Sequence, residues 1–383
     1  MYITDSVRYV GVSDFKTDLF EGQYKIPDGI TYNSYLIKDE KTAVMDSVDA
    51  AYGREWIENI KTALKDREPD YLVVQHMEPD HSASVVEFVK EFPNAKIVAS
   101  AAAFNMMRGF FGTDYSDRKI AVTEGDSLSL GRHTLRFITA PMVHWPEVIM
   151  TYDECDGILF SADGFGRFGD RSESTPWVDE ARRYYIGIVG KYGKQVLSVL
   201  KKAAALDVRK IAPLHGPVLT ENLGYYIDLY TKWASYTPEE SGVTVAYASI
   251  YGNTKRAAET LFEMLKERGV KAEIFDLARC DKHAAIASAF RFDKLVLASP
   301  TYNADVFPAM KSYIHGLSER GFTGRRVALI ENGSWAPRAA LVMKELLSPC
   351  RDITFTENSV KITSAPNGDT NNALSALADE LCK

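Results

Sequence analysis

The segment QHMEPDHSAS, at residues 75–84, carries an unusual density of side chains that bind metals. Two imidazoles and two carboxylates fall close together there, at His76, Glu78, Asp80 and His81. A proline stands among them, and because its ring fixes φ it stiffens the segment. The β-rich run YLVVQ ends at the cluster, and SASVVEFVKEF resumes helical periodicity after it. The four side chains can therefore converge from one loop between a strand and a helix.

Three further segments each supply one candidate ligand. His144 lies in APMVHWPE, Asp163 in LFSADGFG and His215 in IAPLHGPV, and each follows a short apolar run. Since such runs predict strands, we expect these side chains at one edge of a sheet. Together with the first cluster they make seven candidate ligands, which is enough for two metal ions.

A second set of polar loops lies beyond residue 243. ASIYGNTKRAAE ends one predicted strand and opens a helix, so its backbone N–H groups form an anion site. Neither GxxxxGK[ST] nor GxGxxG occurs, which disfavours a nucleoside triphosphate or a dinucleotide and favours the single terminal phosphate of FMN. SPTYNAD and ENGSWAP follow two later strands, at the edge where open α/β sheets bind ligands.

Tyr302 and Trp335 in these loops are placed to flank a flat ring. Each loop alone is also compatible with an ordinary αβ connection closed by an aromatic plug, but the three together favour a flavin. The predicted flavin-binding residues are Ser249, Ile250, Tyr251, Gly252, Asn253, Thr254, Pro300, Thr301, Tyr302, Asn303, Ala304, Asn332, Gly333, Ser334, Trp335 and Ala336.

The elements that must position these residues divide the α/β chain into two parts. Residues 1–240 mix strands and helices in a pattern typical of an αββα domain, with two sheets covered by helices. The connector SYTPEESG is a plausible boundary. In residues 243–383, five predicted strands alternate with five helices, which predicts a doubly wound parallel sheet.

Composition narrows the classes of function. The chain has 383 residues, 46% of them hydrophobic and 25% charged, as in ordinary globular proteins. A net charge of −7, without a basic stripe, argues against nucleic-acid binding. Four scattered cysteines form no CxxC, so the sequence encodes neither a rubredoxin-type iron site nor a thiol redox pair. With no signal peptide and no apolar stretch long enough to span a bilayer, a cytoplasmic protein is expected.

Both parts resemble known families. SIYGNT, SPTYNAD and ENGSW are similar to the three flavin loops of flavodoxins. The first part resembles the metallo-β-lactamase fold, whose signature is HxHxDH followed by a distant His, Asp and His. Glu78 replaces the second histidine of that signature, which makes the site more anionic and favours iron or manganese over the zinc of a hydrolase. The two domains in this order resemble the flavodiiron proteins, also called A-type flavoproteins.

This resemblance implies the ligand sets. One iron takes His76, Glu78 and His144, the other takes Asp80, His81 and His215, and Asp163 bridges them. All seven would then be catalytic. Glu147 stands where the family usually has Asp.

The resemblance also implies an oxidoreductase that reduces dioxygen to water, nitric oxide to nitrous oxide, or both, with electrons relayed through FMN. The donor must be external, and the family suggests rubredoxin, a flavin reductase or reduced deazaflavin. A head-to-tail homodimer, or a dimer of dimers, would bring one chain's flavin to the other's iron.

Two alternatives stay open at this stage. The first is a zinc-dependent hydrolase fused to a flavodoxin-like electron carrier, and the second is a flavin module whose first domain is a relic. The remaining histidines, His133, His283 and His315, are expected to be structural or on the surface. Phe165 and Phe168 either line a gas pocket or anchor their loop.

Overall fold

Apolar runs in the first part of the chain form a six-stranded sheet, in the order β1-β6-β7-β8-β9-β10. This computed structural model describes residues 1–172 and 176–383. The first two pairings of the sheet, β1 with β6 and β6 with β7, are antiparallel, and the others are parallel. The strands are β1 (Val7–Tyr9), β6 (Tyr35–Lys38), β7 (Thr42–Met45), β8 (Tyr71–Val74), β9 (Lys96–Ser100) and β10 (Lys119–Val122).

A second sheet of five strands faces the first, in the order β11-β12-β13-β14-β15. Only its last pairing, β14 with β15, is parallel. Its strands are β11 (Ser127–Ser129), β12 (Thr134–Thr139), β13 (Ile149–Asp153), β14 (Ile158–Phe160) and β15 (Lys210–Ala212). Two small ribbons precede it, formed by β2 (Val12–Asp14) with β5 (Ile30–Tyr32) and by β3 (Leu19–Phe20) with β4 (Tyr24–Lys25).

Alternation along the strands builds two cores. In β7, Met45 points to the core shared by the two sheets, where it joins Phe137 of β12. Its neighbour Val44 points to the other face, because successive side chains of a strand alternate. There it packs against Trp56 and Ile60, which share one face of the helix Gly53–Leu64.

Seven α-helices of the described residues belong to this part of the chain. They are α1 (Gly53–Leu64), α2 (Pro79–Ser82), α3 (Val85–Glu91), α4 (Ala101–Phe111), α5 (Trp177–Tyr184), α6 (Gly193–Ala203) and α7 (Leu223–Ala234).

The second part of the chain forms a parallel sheet whose central order is β17-β16-β18-β20. The single last strand expected from the sequence is instead two short strands, β21 and β22, which both pair with β20. The strands are β16 (Glu240–Tyr247), β17 (Ala272–Asp276), β18 (Phe292–Tyr302), β19 (Asp305–Val306), β20 (Arg326–Asn332), β21 (Thr354–Phe355) and β22 (Val360–Ile362). The helices are α8 (Asn253–Glu267), α9 (Lys282–Arg291), α10 (Pro308–Glu319), α11 (Ala339–Leu346) and α12 (Gly368–Leu381).

The predicted fold class is confirmed, with a two-sheet α/β domain followed by a doubly wound parallel sheet. The chain divides into two compact units, Met1–Thr231 and Lys232–Lys383, so their division falls shortly before the predicted boundary. Among the helices of the described residues, none combines the length and apolar character needed to cross a membrane.

Candidate functional site

The carboxyl ends of four strands bring all seven candidate ligands together. The strands concerned are β8, β12, β14 and β15, each followed by one or more of these side chains. Asp80 and His81 lie in the single helical turn α2, with Pro79 at its first position, rather than in an open loop. The ligand atoms fall into two groups, within each of which they lie at most 4.8 Å apart: His76, Glu78, His144 and Asp163; and Asp80, His81 and His215.

The first group surrounds the Nε2 atom of His144. That atom lies 3.0 Å from Oε2 of Glu78 and 3.1 Å from Oδ2 of Asp163. Nε2 of His76 lies 3.3 Å from Nε2 of His144 and 3.3 Å from Oε2 of Glu78. Donor atoms bonded to one ion at about 2.0–2.2 Å are spaced in this way.

The second group has the same spacing. Nε2 of His81 lies 3.0 Å from Nε2 of His215 and 3.1 Å from Oδ2 of Asp80. Asp163 also reaches this group, because its Oδ1 lies 3.2 Å from Nε2 of His81 while its Oδ2 faces the first group. The Asp163 carboxylate therefore lies between the two groups, with one oxygen toward each.

Hydrogen bonds outside the cluster aim the imidazole lone pairs into it. The Nδ1–H of His215 donates to the carbonyl oxygen of Thr31 at 2.6 Å, so its Nε2 carries the lone pair. Nδ1 of His76 donates to Glu147 at 2.8 Å. Neither oxygen of the buried Asp80 carboxylate accepts a hydrogen bond from the described residues. Facing lone pairs and unbonded carboxylate oxygens are costly unless cations lie between them, so these residues fit a pair of metal ions.

Electrostatics lead to the same conclusion. Burial alone would lower the pKa of His76 and raise that of Asp163, but the opposite charges around them outweigh burial. The pKa of His76 lies well above its ordinary value and that of Asp163 well below it. Burial likewise opposes protonation of His144, yet Asp163 and Glu78 raise its pKa to about 9. The carboxylates are thus held ionised by positive charge at the centre of the cluster, which protons on the imidazoles supply in the absence of metal and bound metal ions would supply in their place.

Aromatic side chains enclose the cluster. Trp145 lies edge-on to His76, with ring centroids 5.3 Å apart. Phe20, in the ribbon of β3 and β4, packs edge-on against His215 at 5.4 Å, and Tyr184 at the end of α5 lies at the same distance from His215. Sequence reasoning missed Phe20 and Tyr184, because nothing in their local patterns places them beside a ligand. These rings restrict the access of water to the second group.

The two phenylalanines of the DGFGRFGD segment anchor their loop. Phe165 stacks on Tyr230 of α7, with ring centroids 4.1 Å apart, and its backbone N–H donates to the hydroxyl of Tyr230. Phe168 is fully buried against Phe20, Tyr24 and Tyr184. Between the two roles considered for these residues, the contacts favour anchoring.

A cleft of about 450 Å³ lies at the carboxyl edge of the parallel sheet in the second unit. Three loops form it, after β16, β18 and β20, as the sequence predicted. Fourteen of the sixteen predicted flavin residues line it, and Gly252 and Tyr302 stand in the same loops without lining it. The exposed side chains of Tyr251 and Trp335 border it, 93% and 83% accessible. Arg338 and Ser364 line it as well and were missed, since they follow the motifs that carried the prediction.

The N-terminus of α8, which lies at this cleft, has the features of an anion-binding site. Gly252 caps α8 in the left-handed region, with φ of +87°, and offers no side chain to the N–H groups of the first turn. Its own N–H donates to Oγ of Ser249 at 3.2 Å. A helix N-terminus left uncapped by side chains is a phosphate site, and Arg338 is the one charged side chain among the described residues that line the cleft. The cleft therefore fits a flat ring system that carries a terminal phosphate.

Comparisons with known proteins find a relative for each of the two domains. A family model described as ODP family beta lactamase matches residues 30–216, and a flavodoxin model matches residues 245–338. The anaerobic nitric oxide reductase flavorubredoxin of Salmonella arizonae is 29% identical over 347 residues, covering 87% of this chain and 72% of the relative. That of Shigella flexneri is 29% identical over 395 residues, covering 100% of this chain and 80% of the relative. In both domains, and in their order along the chain, the protein is similar to the flavodiiron proteins.

Solved structures extend this likeness to nearly the full length of the chain. The flavodiiron protein of Giardia intestinalis matches it with a TM-score of 0.90 at 25% identity, covering 99% of this chain and 95% of the other. The rubredoxin:oxygen oxidoreductase of Desulfovibrio gigas has the same TM-score and identity, with 100% and 97% covered.

Proposed function

We propose that the protein is a flavodiiron protein and reduces dioxygen to water, nitric oxide to nitrous oxide, or both, at a non-haem diiron centre supplied with electrons by FMN. The observation that carries the proposal is the pair of adjoining ligand groups with one carboxylate, Asp163, between them. The names of the relatives support both gases, since they include a nitric oxide reductase and an oxygen oxidoreductase.

We assign His76, Glu78 and His144 to one iron and Asp80, His81 and His215 to the other. Two adjacent irons supply one-electron reduction and Lewis acidity to a small bound gas. The protein side chains hold both ions and keep water out. Glu78 adds negative charge where a zinc hydrolase has a neutral imidazole, which favours iron over zinc.

We assign FMN to the cleft in the residues 243–383 domain, with its phosphate at the N-terminus of α8 and its ring beside Trp335 and Tyr251. FMN accepts and passes on electrons singly, which suits iron chemistry. The residues of the cleft bind and orient the flavin, and Arg338 adds a positive charge beside it. The electrons come from an external donor such as rubredoxin, a flavin reductase or reduced deazaflavin.

We further propose a head-to-tail homodimer, or a dimer of dimers, that works in the cytoplasm. Both aromatic side chains that border the flavin cleft, Tyr251 and Trp335, are largely exposed, and a partner subunit would cover them. All four cysteines are free thiols, which fits a reducing compartment.

Metal content and gas consumption test this function together. Protein purified without oxygen is expected to hold two irons and one FMN per chain, and to consume dioxygen, nitric oxide or both with one artificial donor. Glu78→His is expected to lower the rate of gas consumption at least about ten-fold while FMN reduction is unchanged. Glu58→His, at a 71% exposed position of α1, is the matched control and leaves the rate unchanged. Two zinc ions per chain, or full activity of Glu78→His, would contradict the proposal.

A further inference from the structure

A third group of metal-binding side chains lies in the first unit, apart from the seven ligands. His133 directly precedes β12, and Cys155 and Asp156 lie in the turn between β13 and β14. Each offers one donor atom, and the three donor atoms lie within 4.8 Å of one another. His144 follows the other end of β12 and Asp163 the other end of β14, so this group sits at the opposite edge of the same sheet.

The imidazole of His133 is held as metal-bound imidazoles are held. The side chain is fully buried, and its Nδ1 donates to both carboxylate oxygens of Asp153, at 3.0 Å each. Asp153 is fully buried as well. A carboxylate that accepts a hydrogen bond from one ring nitrogen fixes the orientation of the ring and raises the basicity of the other nitrogen. Most histidine ligands of metals have a hydrogen-bond partner of this kind. Because Nδ1 is committed to Asp153, Nε2 of His133 keeps the lone pair that can bind a cation.

The turn that carries the other two donors is fixed by the same carboxylate. Oδ1 of Asp153 accepts the backbone N–H of Cys155 at 3.2 Å, and Oδ2 accepts that of Asp156 at 3.3 Å. Gly157 closes the turn with φ of +65°, and a Cβ at this position would lie 2.4 Å from Nε of Arg209. Asp153 therefore orders all three donors at once.

The carboxylate of Asp156 is oriented in turn by hydroxyl groups. Its Oδ2 accepts hydrogen bonds from Oγ1 of Thr4 at 2.5 Å and Oγ of Ser6 at 3.0 Å. Asp39 adds a further negative charge, since its Oδ2 accepts the backbone N–H of His133 at 2.7 Å. The group thus combines a nitrogen, a sulfur and an oxygen donor, with the carboxylates of Asp39 and Asp153 and the guanidinium of Arg132 as its charged neighbours.

We propose that His133, Cys155 and Asp156 bind one divalent cation of the zinc type, with its fourth position open to water. Mixed N, S and O donors from three residues match Zn²⁺, and the thiol excludes hard cations such as Mg²⁺. Arg132 now lies over the group, with Nη2 3.4 Å from Nε2 of His133. The Arg132 side chain is exposed, so we expect it to turn into solvent when a cation binds and takes over its positive charge. Bound in this way, the ion ties the segment of Thr4 and Ser6 to the β13–β14 turn.

Zinc binding to the iron-loaded, FMN-loaded holoenzyme tests this site. One added equivalent of Zn²⁺ is expected to stay bound through gel filtration while the iron content stays constant. Zinc K-edge X-ray absorption is expected to show one sulfur neighbour at about 2.3 Å and nitrogen or oxygen neighbours at about 2.0–2.2 Å. Since none of the seven diiron ligands is a cysteine, the sulfur neighbour distinguishes this site from zinc that has displaced iron.

Two serine variants complete the test. Cys155→Ser is expected to lose the sulfur neighbour and most of the bound zinc, whereas Cys382→Ser, at an exposed cysteine near the chain terminus, behaves like the parent. Because Cys155 is only partly buried, its replacement leaves the His133–Asp153 pair intact. Failure to retain zinc, zinc without a sulfur neighbour, or equal zinc binding by Cys155→Ser would overturn the proposal.

Discussion

Glu147 fixes the orientation of the His76 imidazole, one of the proposed iron ligands. Oε1 of Glu147 accepts both the Nδ1–H of His76 and the backbone N–H of Met77, each at 2.8 Å. The whole side chain is buried, and its Oε2 accepts no hydrogen bond from the described residues. One buried oxygen of Glu147 therefore holds both the ring of His76 and the backbone at Met77, where the segment of residues 76–81 begins.

Replacing Glu147 with Gln is expected to weaken iron binding about 10–100-fold, because the imidazole loses the charged partner that fixes its tautomer. Glu147→Asp keeps the charge and is expected to retain most of the iron. The measurement is iron remaining per chain after dialysis against a graded series of chelator. If Glu147→Gln retains as much iron as the parent, the charge of Glu147 does not support metal binding by His76.

The first turn of α8 depends on backbone conformation at one residue. Gly252 has φ of +87°, a region that side chains with a Cβ disfavour, although a Cβ there would meet no atom within 4 Å. Any penalty for a side chain at this position thus comes from the backbone alone.

Gly252→Ala is expected to weaken FMN binding by about 1 kcal/mol, roughly five-fold, because alanine pulls the turn away from the conformation that opens the phosphate site. The measurement is the Kd of the apoprotein for FMN from quenching of flavin fluorescence. Gly269→Ala, which lies beyond the far end of α8 with φ of +74° and equally open space, controls for general destabilisation. If Gly252→Ala and Gly269→Ala both bind FMN with the Kd of the parent, the conformation of Gly252 does not contribute to the phosphate site.

Glu380 of α12 holds the loop between β21 and β22. Its carboxylate accepts the backbone N–H groups of Glu357 and Asn358, at 2.9 Å each, and pairs with Arg326. Burial opposes ionisation, but these donors outweigh it and lower the pKa of Glu380 from 4.5 to about 2. A depressed pKa of this kind stabilises the fold above about pH 4.5, and the stabilisation is lost as the pH falls toward 2.

Glu380→Gln is therefore expected to cost the second unit about 2 kcal/mol of unfolding free energy at pH 7, with a gap that narrows below pH 4.5. Urea unfolding followed by the release of flavin fluorescence measures it at pH 7 and pH 3. Glu263→Gln, an exposed residue paired with Lys266 on α8, is the control and changes stability by less than about 0.5 kcal/mol. If the difference in unfolding free energy between Glu380→Gln and the parent does not vary with pH, the ionised carboxylate of Glu380 is not its cause.

At the scale of the whole molecule, the proposed dimer makes gas reduction dependent on concentration. Dilution below the dissociation constant is expected to lower the rate per chain, whereas reduction of FMN by an artificial donor stays unchanged, because only the transfer from flavin to iron needs the second subunit. Sedimentation analysis at the assay concentrations supplies the fraction of dimer. Monomers with undiminished rates of gas reduction would contradict the arrangement.

The fold class and the location of both sites follow from the sequence, because strands predict where side chains gather. His144, Asp163 and His215 each follow an apolar run, and parallel or adjacent strands bring their ends to one edge. Arg338 and Ser364 could not be placed in this way, since their approach to the cleft depends on how later elements pack around β20. The hydrogen bond between His133 and Asp153 could not be predicted from the sequence either. The two residues are 20 positions apart, and the pairing of β12 with β13 brings them together.

The central claim is that two irons lie between these ligands with Asp163 bridging them, and anomalous diffraction at the iron edge tests it most directly. Crystals of the protein purified without oxygen are predicted to give two iron peaks, one among His76, Glu78 and His144 and the other among Asp80, His81 and His215. A single peak, peaks at the zinc edge in these positions, or no anomalous density there would contradict the account.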